Sequence, residues 1–160
     1  MALKVTRFIS LLATALLAGL LFAHALELPN KMTLPPAVWL AVQQKLYNLW
    51  GPVSAPVEII AILATAILAI LVRRRRAIFA PTLLAAFLLP VHLVEWFLVV
   101  NPINGLVNGW SEAALPADWA AARNRWELGH AIGAVLVLVA LVALILAAIR
   151  DGPLPSARSA

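Results

Sequence analysis

The stretch that decides the fold is residues 127–149, which read ELGHAIGAVLVLVALVALILAAI. Glu127 and His130 lie at its start, and a run without any charged residue follows from Ala131 to Ile149. An α-helix needs about 20 predominantly apolar residues to cross the hydrocarbon core of a bilayer. The stretch therefore predicts a membrane-spanning helix with a glutamate and a histidine near one end.

Three further apolar runs have a comparable length. We predict four membrane helices, over about 8–27, 56–72, 77–100 and 119–149. A shorter helix is predicted over about 37–50, where Trp39, Val42 and Leu46 recur with helical spacing after two prolines. Such a helix is typical of the membrane interface. The prediction is an all-α, single-domain, integral membrane four-helix bundle with a short interfacial amphipathic helix in the first long loop.

The composition supports the bilayer as the solvent and excludes several classes of protein. The 160 residues are 64% hydrophobic and only 12% charged, and the mean hydropathy is +0.97. The absence of cysteine excludes disulfides, thiolate metal sites, iron–sulfur clusters and thiol redox chemistry. The net charge of +5 does not indicate a nucleic-acid partner, because four of the positive charges form one run, Arg73–Arg76, between two apolar segments.

The basic residues also predict an orientation. Lys4 and Arg7 precede the first apolar run, Arg73–Arg76 separates the second and third, and Arg150 follows the fourth. The positive-inside rule therefore puts both termini and the middle loop in the cytoplasm, and the two longer loops outside.

The N-terminal segment has a second interpretation. Its basic start, apolar stretch and Ala23-His24-Ala25 motif also fit a secretory signal peptide with its cleavage site. Cleavage there would remove His24 and leave three membrane helices.

Polar side chains recur at one depth of the predicted bundle. Each of the three histidines lies three residues from a glutamate, a spacing that places both on one helix face, and a lone glutamate begins the second apolar run. Ionisable groups in apolar helices usually face the bundle interior and mark a functional site. The candidate metal ligands are His24, Glu27, Glu58, His92, Glu95, Glu127 and His130. Carboxylates on four helices, including an E-x-x-H pattern, resemble the ligand set of di-iron bundles.

Other interpretations of the same residues stay open. The histidine–glutamate pairs also fit hydrogen-bonded struts, and Glu127 also fits the i, i+4 ion-pair partner of Arg123. A buried histidine beside a glutamate also fits a general base that deprotonates an activated phenolic or benzylic carbon without a metal. A bis-histidine haem is a third option. We predict catalytic roles for His92 and His130, with Arg123 holding an anionic or phenolate group, and an aromatic pocket walled by Trp96 and Trp126.

The order of features resembles the anthrone-oxygenase-like family of small four-helix membrane proteins. The similar pieces are Leu34-Pro35-Pro36 with Gln43–Gln44, the Asn101-Pro102-Ile103-Asn104 turn expected after the third helix, and Trp119, Arg123, Trp126 and His130 leading into the fourth. The resemblance implies conversion of anthrones to anthraquinones with dioxygen. It also implies site roles for Asn101, Asn104, Trp119, Arg123, Trp126 and His130.

Together these features predict a membrane oxidoreductase or oxygenase. Its expected partners are the lipid bilayer, a lipophilic, aromatic substrate and dioxygen, and its expected cofactor is a metal centre of di-iron type near the outer face. The competing prediction from another class is a non-enzymatic accessory subunit or small carrier, whose buried pairs stabilise the bundle or relay protons.

Overall fold

All regular secondary structure is helical in the computed structural model, which describes residues 1–47 and 49–151. In chain order the elements are α1 (Ala2–Lys31), α2 (Pro36–Ala41), a π-helical segment (Val42–Leu46), α3 (Trp50–Val72), α4 (Arg76–Glu95), a second π-helical segment (Trp96–Val100), α5 (Asn101–Gly109), a 3-10 turn (Glu112–Ala114) and α6 (Trp119–Arg150). The predicted all-α four-helix bundle is confirmed.

Within residues 1–47 and 49–151, four helices are long and apolar enough to cross a membrane. They are Ala2–Lys31, Trp50–Val72, the continuous stretch Arg76–Gly109, and Trp119–Arg150. Large apolar side chains project from their outer faces; Phe8, Phe87 and Ile149, for example, are 64%, 65% and 69% exposed. A helix bundle that is apolar on its outside as well as its inside is suited to lipid rather than water. The chain is therefore consistent with an integral membrane protein.

Small residues bring the four helices together. α6 packs on α4 and α1, and α3 packs on α1 and α4, which closes a ring of four. Ala61, Ala85 and Ala140 are fully buried in the interior of this ring. Without a hydrophobic driving force between helices in lipid, close backbone approach over small side chains is the main source of packing energy.

The third membrane helix is longer than its predicted range of 77–100. The prediction of a turn at Asn101–Asn104 is wrong, because the chain stays helical through the second π-helical segment and α5 as far as Gly109. Pro102 is the second residue of α5 and has no backbone N–H to donate to the preceding helical turn. The Leu98 carbonyl, four residues earlier, accepts a hydrogen bond of 2.9 Å from Nη2 of Arg125 on α6. The side chain of Arg125 thus replaces the backbone donor that the proline lacks.

The short helix predicted over 37–50 ends earlier than expected. Its helical part stops at Leu46, Asn48 lies outside the described residues, and α3 begins at Trp50. Trp39 is fully buried, in a cluster with apolar side chains of α5 and α6. The segment Pro36–Leu46 therefore covers one end of the bundle, and we call it the cap.

Ion pairs connect the helices at the opposite end of the bundle. Arg7 of α1 makes an ion pair of 2.5 Å with Asp151, and Arg75 from the loop before α4 contacts the same carboxylate. Ser10 and Thr65 share a buried hydrogen bond of 2.7 Å one turn further in. These contacts put the N-terminus, the α3–α4 loop and the end of α6 together, as four alternating helices require.

Candidate functional site

A cavity of about 450 Å³ lies under the cap, at the end of the bundle away from Asp151. We call it the polar cavity. The predicted site residues on its wall are His24, Glu58, His92, Trp96, Asn101, Asn104, Trp126 and His130. The remaining predicted site residues, Glu27, Glu95, Arg123, Trp119 and Glu127, are not part of that wall. Eight of the thirteen predicted site residues therefore share one cavity wall, and five do not.

Glu58 and His92 form the best-defined polar pair of the cavity. Nδ1 of His92 on α4 donates to Oε1 of Glu58 on α3 over 2.7 Å, and both side chains are buried. The sequence pairs His92 with Glu95 on its own helix, whereas the structure gives it a partner on the neighbouring one. Because the carboxylate accepts the Nδ1 proton, the free nitrogen, Nε2, is the basic atom of the neutral ring.

The helix α6 approaches His92 without a side chain in between. A Cβ on Gly133 would lie 2.8 Å from Cδ2 and 2.9 Å from Nε2 of His92. A Cβ on Gly129 would lie 3.1 Å from Oε1 of Glu95. Glu95 is thus packed against the backbone of α6, and its Oε1 is buried with no hydrogen-bond partner among residues 1–47 and 49–151.

A second imidazole pair lies on the cavity wall inside a group of aromatic rings. The ring centroids of His24 and His130 are 4.4 Å apart, which leaves no room between them for a porphyrin. The neighbours of His24 are Tyr47 at 4.7 Å, Trp50 at 4.8 Å and Trp126 at 5.2 Å. Asn104 accepts a hydrogen bond of 2.7 Å from the Trp126 indole, which holds that ring in place. The wall therefore combines aromatic surface with nitrogen donors and acceptors.

Lys31 is the main residue that the sequence analysis missed. It is 4% exposed, and its Nζ lies 3.0 Å from Oε2 of Glu127 and 3.3 Å from Nδ1 of His24. The indole of Trp39 donates to the other oxygen of Glu127 over 3.4 Å. A signal was present, because Lys31 lies seven residues after His24 and four after Glu27, on one helix face. It was overlooked since the first helix was predicted to end before it.

Tyr47 was also missed as a site residue. Its hydroxyl donates to Oε2 of Glu27, and its ring lies on the cavity wall. Burial raises the pKa of the Tyr47 phenol, and the hydrogen bond to Glu27 and the nearby negative charges raise it further. Glu27 is thereby held at the rim by Tyr47 instead of facing the cavity.

Arg123 and Trp119 lie apart from the cavity. The guanidinium of Arg123 stacks 4.9 Å from the Trp119 ring and donates to the carbonyl of Met32 over 3.0 Å. These contacts fasten the connection after α1 to the beginning of α6. The predicted ion pair of Arg123 with Glu127 is replaced by the pair with Lys31, and Arg123 is not in position to hold a substrate in the cavity.

The seven predicted metal ligands do not form one centre. Over the described ranges, 1–47 and 49–151, no three histidine, aspartate or glutamate side chains are grouped so that they could hold a metal ion. The ligand set is divided instead into separate contacts: Glu58 with His92, Glu27 with Tyr47, and Glu127 with Lys31. A di-iron centre needs carboxylates that converge on the same two ions, so this arrangement does not fit one.

Fold and cavity define an all-α bundle of membrane-spanning length with a histidine-rich, aromatic pocket at one end. Comparison of the chain with protein-family models, curated proteins and solved structures gives no match. The resemblance to anthrone-oxygenase-like proteins stays a prediction.

Proposed function

We propose that this protein is an integral membrane oxygenase that uses Glu58 and His92 to deprotonate a lipophilic aromatic substrate, which then reacts with dioxygen. The observation that carries the proposal is the buried His92–Glu58 pair on the wall of the polar cavity. Catalytic bases are commonly histidines whose second nitrogen is held by a carboxylate.

The pair has the two properties that a general base needs. Glu58 fixes the His92 ring and stabilises the imidazolium that forms when Nε2 takes a proton. The low-polarity surroundings strengthen this electrostatic contact relative to water. The combination favours transfer of a proton from an acidic C–H bond to Nε2.

The size and lining of the cavity support an aromatic substrate. A volume of about 450 Å³ is within the range of small-molecule sites and admits several fused rings. Trp50, Trp96 and Trp126 provide aromatic surface on its wall. A substrate of this kind concentrates in the bilayer that surrounds the bundle. The resemblance to anthrone-oxygenase-like proteins supports the same substrate class.

The proposed reaction balances without a separate electron donor. A CH₂ group loses a proton to His92, and the electron pair left on carbon forms a C–O bond with dioxygen. The proton returns to give a hydroperoxide, whose O–O bond breaks as water leaves and the carbonyl forms. The sum is CH₂ plus O₂ to C=O plus H₂O, in which the substrate carbon is oxidised and dioxygen is reduced.

The test uses purified protein in lipid nanodiscs with anthrone under air. Oxygen uptake and anthraquinone formation are followed together. Glu58→Gln and His92→Gln should each lower the rate by about 10²–10⁴-fold, the usual contribution of a general base. The matched control is Glu112→Gln, since Glu112 is an exposed glutamate outside the bundle. Either site variant with wild-type turnover would overturn the proposal.

The same experiment separates the enzyme from its rival, a non-enzymatic subunit or carrier. One observation favours that rival. His24, His92 and His130 each have a hydrogen-bond partner within the protein, as residues with a purely structural role would. If the rival is correct, wild-type protein will not oxidise anthrone, and Glu58→Gln will change only the thermal stability.

We further propose that both termini and Arg73–Arg76 are cytoplasmic, so that the polar cavity lies near the outer face. The arginine run supports this orientation through the positive-inside rule. Reporter fusions after residue 75 should be read as cytoplasmic and fusions near residue 110 as external. The reverse pattern would contradict the orientation.

A further inference from the structure

The three cavity histidines differ in which nitrogen carries the proton. His92 donates from Nδ1 to the Glu58 carboxylate. His130 faces the backbone carbonyl of Trp126 with Nδ1, at 3.0 Å, and a carbonyl can only accept. A single ring proton in either residue is therefore on Nδ1, which leaves Nε2 as the accepting nitrogen.

His24 has the opposite arrangement because its partner is a lysine. Nζ of Lys31 lies 3.3 Å from Nδ1 of His24, and an ammonium has donors only. Nδ1 must therefore be the accepting nitrogen, and the ring proton is on Nε2. Nε2 of His24 is thus a hydrogen-bond donor, whereas Nε2 of His92 and Nε2 of His130 are acceptors.

The ammonium of Lys31 has two carboxylates and two aromatic rings around it. Oε2 of Glu127 lies 3.0 Å from Nζ and Oε2 of Glu27 lies 3.7 Å from it. The same Nζ lies 5.2 Å from the centroid of the Tyr47 ring and 5.0 Å from that of Trp126, which adds cation–π attraction. These contacts fix the Lys31 side chain beside Nδ1 of His24.

We infer that Lys31 is a positioning residue that makes His24 a hydrogen-bond donor on the wall of the polar cavity, beside the accepting imidazole of His130. The cavity then recognises an aromatic ligand that has an accepting oxygen, such as a carbonyl, beside a hydroxyl group. The ring centroids of His24 and His130 are 4.4 Å apart and both residues line the cavity, so one ligand can contact both. This inference rests on the proposed function only in taking the polar cavity as the substrate site.

The first test measures the tautomers directly and needs no activity. The chain contains only three histidines, so ¹⁵N-histidine NMR gives three imidazoles, each assigned by a single substitution. The expected spectrum of the wild-type protein has one ring protonated on Nε2, His24, and two protonated on Nδ1. Three rings of the same tautomer, or a different ring as the odd one, would overturn the inference.

A pair of variants then tests the role of Lys31. Lys31→Met with Glu127→Gln removes the ammonium without leaving a buried carboxylate alone, and His24 should change to a mixture of tautomers. Lys31→Arg keeps a donor beside Nδ1 and should keep the wild-type spectrum. An unchanged His24 signal in the double variant would contradict a positioning role.

The second test uses calorimetric titration with four probes: naphthalene, a naphthol, a naphthoquinone and a hydroxynaphthoquinone. The hydroxynaphthoquinone should bind most tightly. Its affinity should exceed that of a probe lacking either the carbonyl or the hydroxyl by about tenfold, because roughly one hydrogen bond is lost in each case. The double variant should lose the preference for the carbonyl and keep that for the hydroxyl. Equal affinity for all four would overturn the ligand class.

The two proposals fail in different ways. The expected tautomers and probe order without any anthrone turnover would reject the oxygenase and leave the inference standing. If turnover depends on His92 but the His24 tautomer does not change when Lys31 is replaced, the inference about Lys31 is rejected and the oxygenase proposal stands.

Discussion

Gly133 of α6 lies directly against the imidazole of His92, where an added methyl group would stand 2.8 Å from Cδ2. Real Cβ contacts are not that short, so any side chain here must displace the ring or the helix. α4 and α6 form the most extensive helix pair of the bundle, which limits how far either can move. The position of the proposed base is therefore set by a residue that has no functional group.

Gly133→Ala should consequently lower both turnover and stability. A displaced base can cost up to about 10²-fold in rate, whereas overpacking typically costs about 1–3 kcal/mol of stability. Anthrone oxidation and thermal unfolding in nanodiscs measure the two effects. Gly19→Ala is the control, because a Cβ at Gly19 in α1 meets nothing within 4 Å. Equal turnover in both variants would show that the His92 contact is unimportant.

The sequence predicted the bundle well because length and apolarity alone determine whether a helix can span a membrane. It misplaced the end of the third helix because Pro102 usually indicates a turn, and the Arg125 side chain that compensates for it lies far along the chain. Contacts between distant segments leave no local pattern, so the helical continuation to Gly109 could not be predicted.

The partners of the site residues could not be predicted, because they too are contacts between distant segments. The i, i+3 spacing relates side chains on one helix face, but spacing within a helix does not give partners across helices. His92 pairs with Glu58 instead of Glu95, and Glu127 pairs with Lys31. Cross-helix geometry is decided by how the helices rotate about their axes, which depends on small residues such as Gly133.

The ion pair between Lys31 and Glu127 should be a large contributor to the stability of the cap. Lys31→Met leaves Glu127 buried without its countercharge, and breaking a buried pair in this way costs about 3–5 kcal/mol. Lys31→Met with Glu127→Leu should recover most of the loss, since neither charge is then left alone. The measurement is the free energy of unfolding of the reconstituted protein.

Lys45→Met provides the control for that series, because Lys45 is an exposed lysine of the first π-helical segment. It should change the free energy of unfolding by less than about 0.5 kcal/mol. A Lys31→Met variant as stable as Lys45→Met would show that the pair contributes little.

Tyr47 should titrate at an unusually high pH. It is the only tyrosine of the chain, so the near-ultraviolet absorbance of phenolate reports this residue alone. Burial and the Glu27 hydrogen bond raise its pKa above the ordinary value of about 10, so folded protein should show little phenolate at that pH. The denatured chain should titrate near 10. Glu27→Gln should shift the folded titration downwards.

The raised pKa of Tyr47 also makes the stability of the protein depend on pH. A pKa that is raised in the folded state means that folded protein holds the proton more tightly than unfolded protein does. The contribution of Tyr47 to stability is therefore complete below about pH 10 and falls as the pH rises from there towards the folded pKa. Tyr47→Phe should weaken this alkaline decline. Phenolate formation at pH 10 in folded protein would contradict the buried environment.

The last prediction concerns metal content. Because the seven predicted ligands are divided among Glu58–His92, Glu27–Tyr47 and Lys31–Glu127, purified protein should hold less than one equivalent of iron, manganese, zinc or copper. Elemental analysis of protein extracted without chelator measures this, and treatment with a chelator should leave anthrone turnover unchanged. The informative variant is Glu95→Gln, since Glu95 was predicted as a ligand but is not on the cavity wall. Two bound equivalents that Glu95→Gln and Glu58→Gln both abolish would show that the side chains rearrange around metal, and the metal-free base would then be rejected.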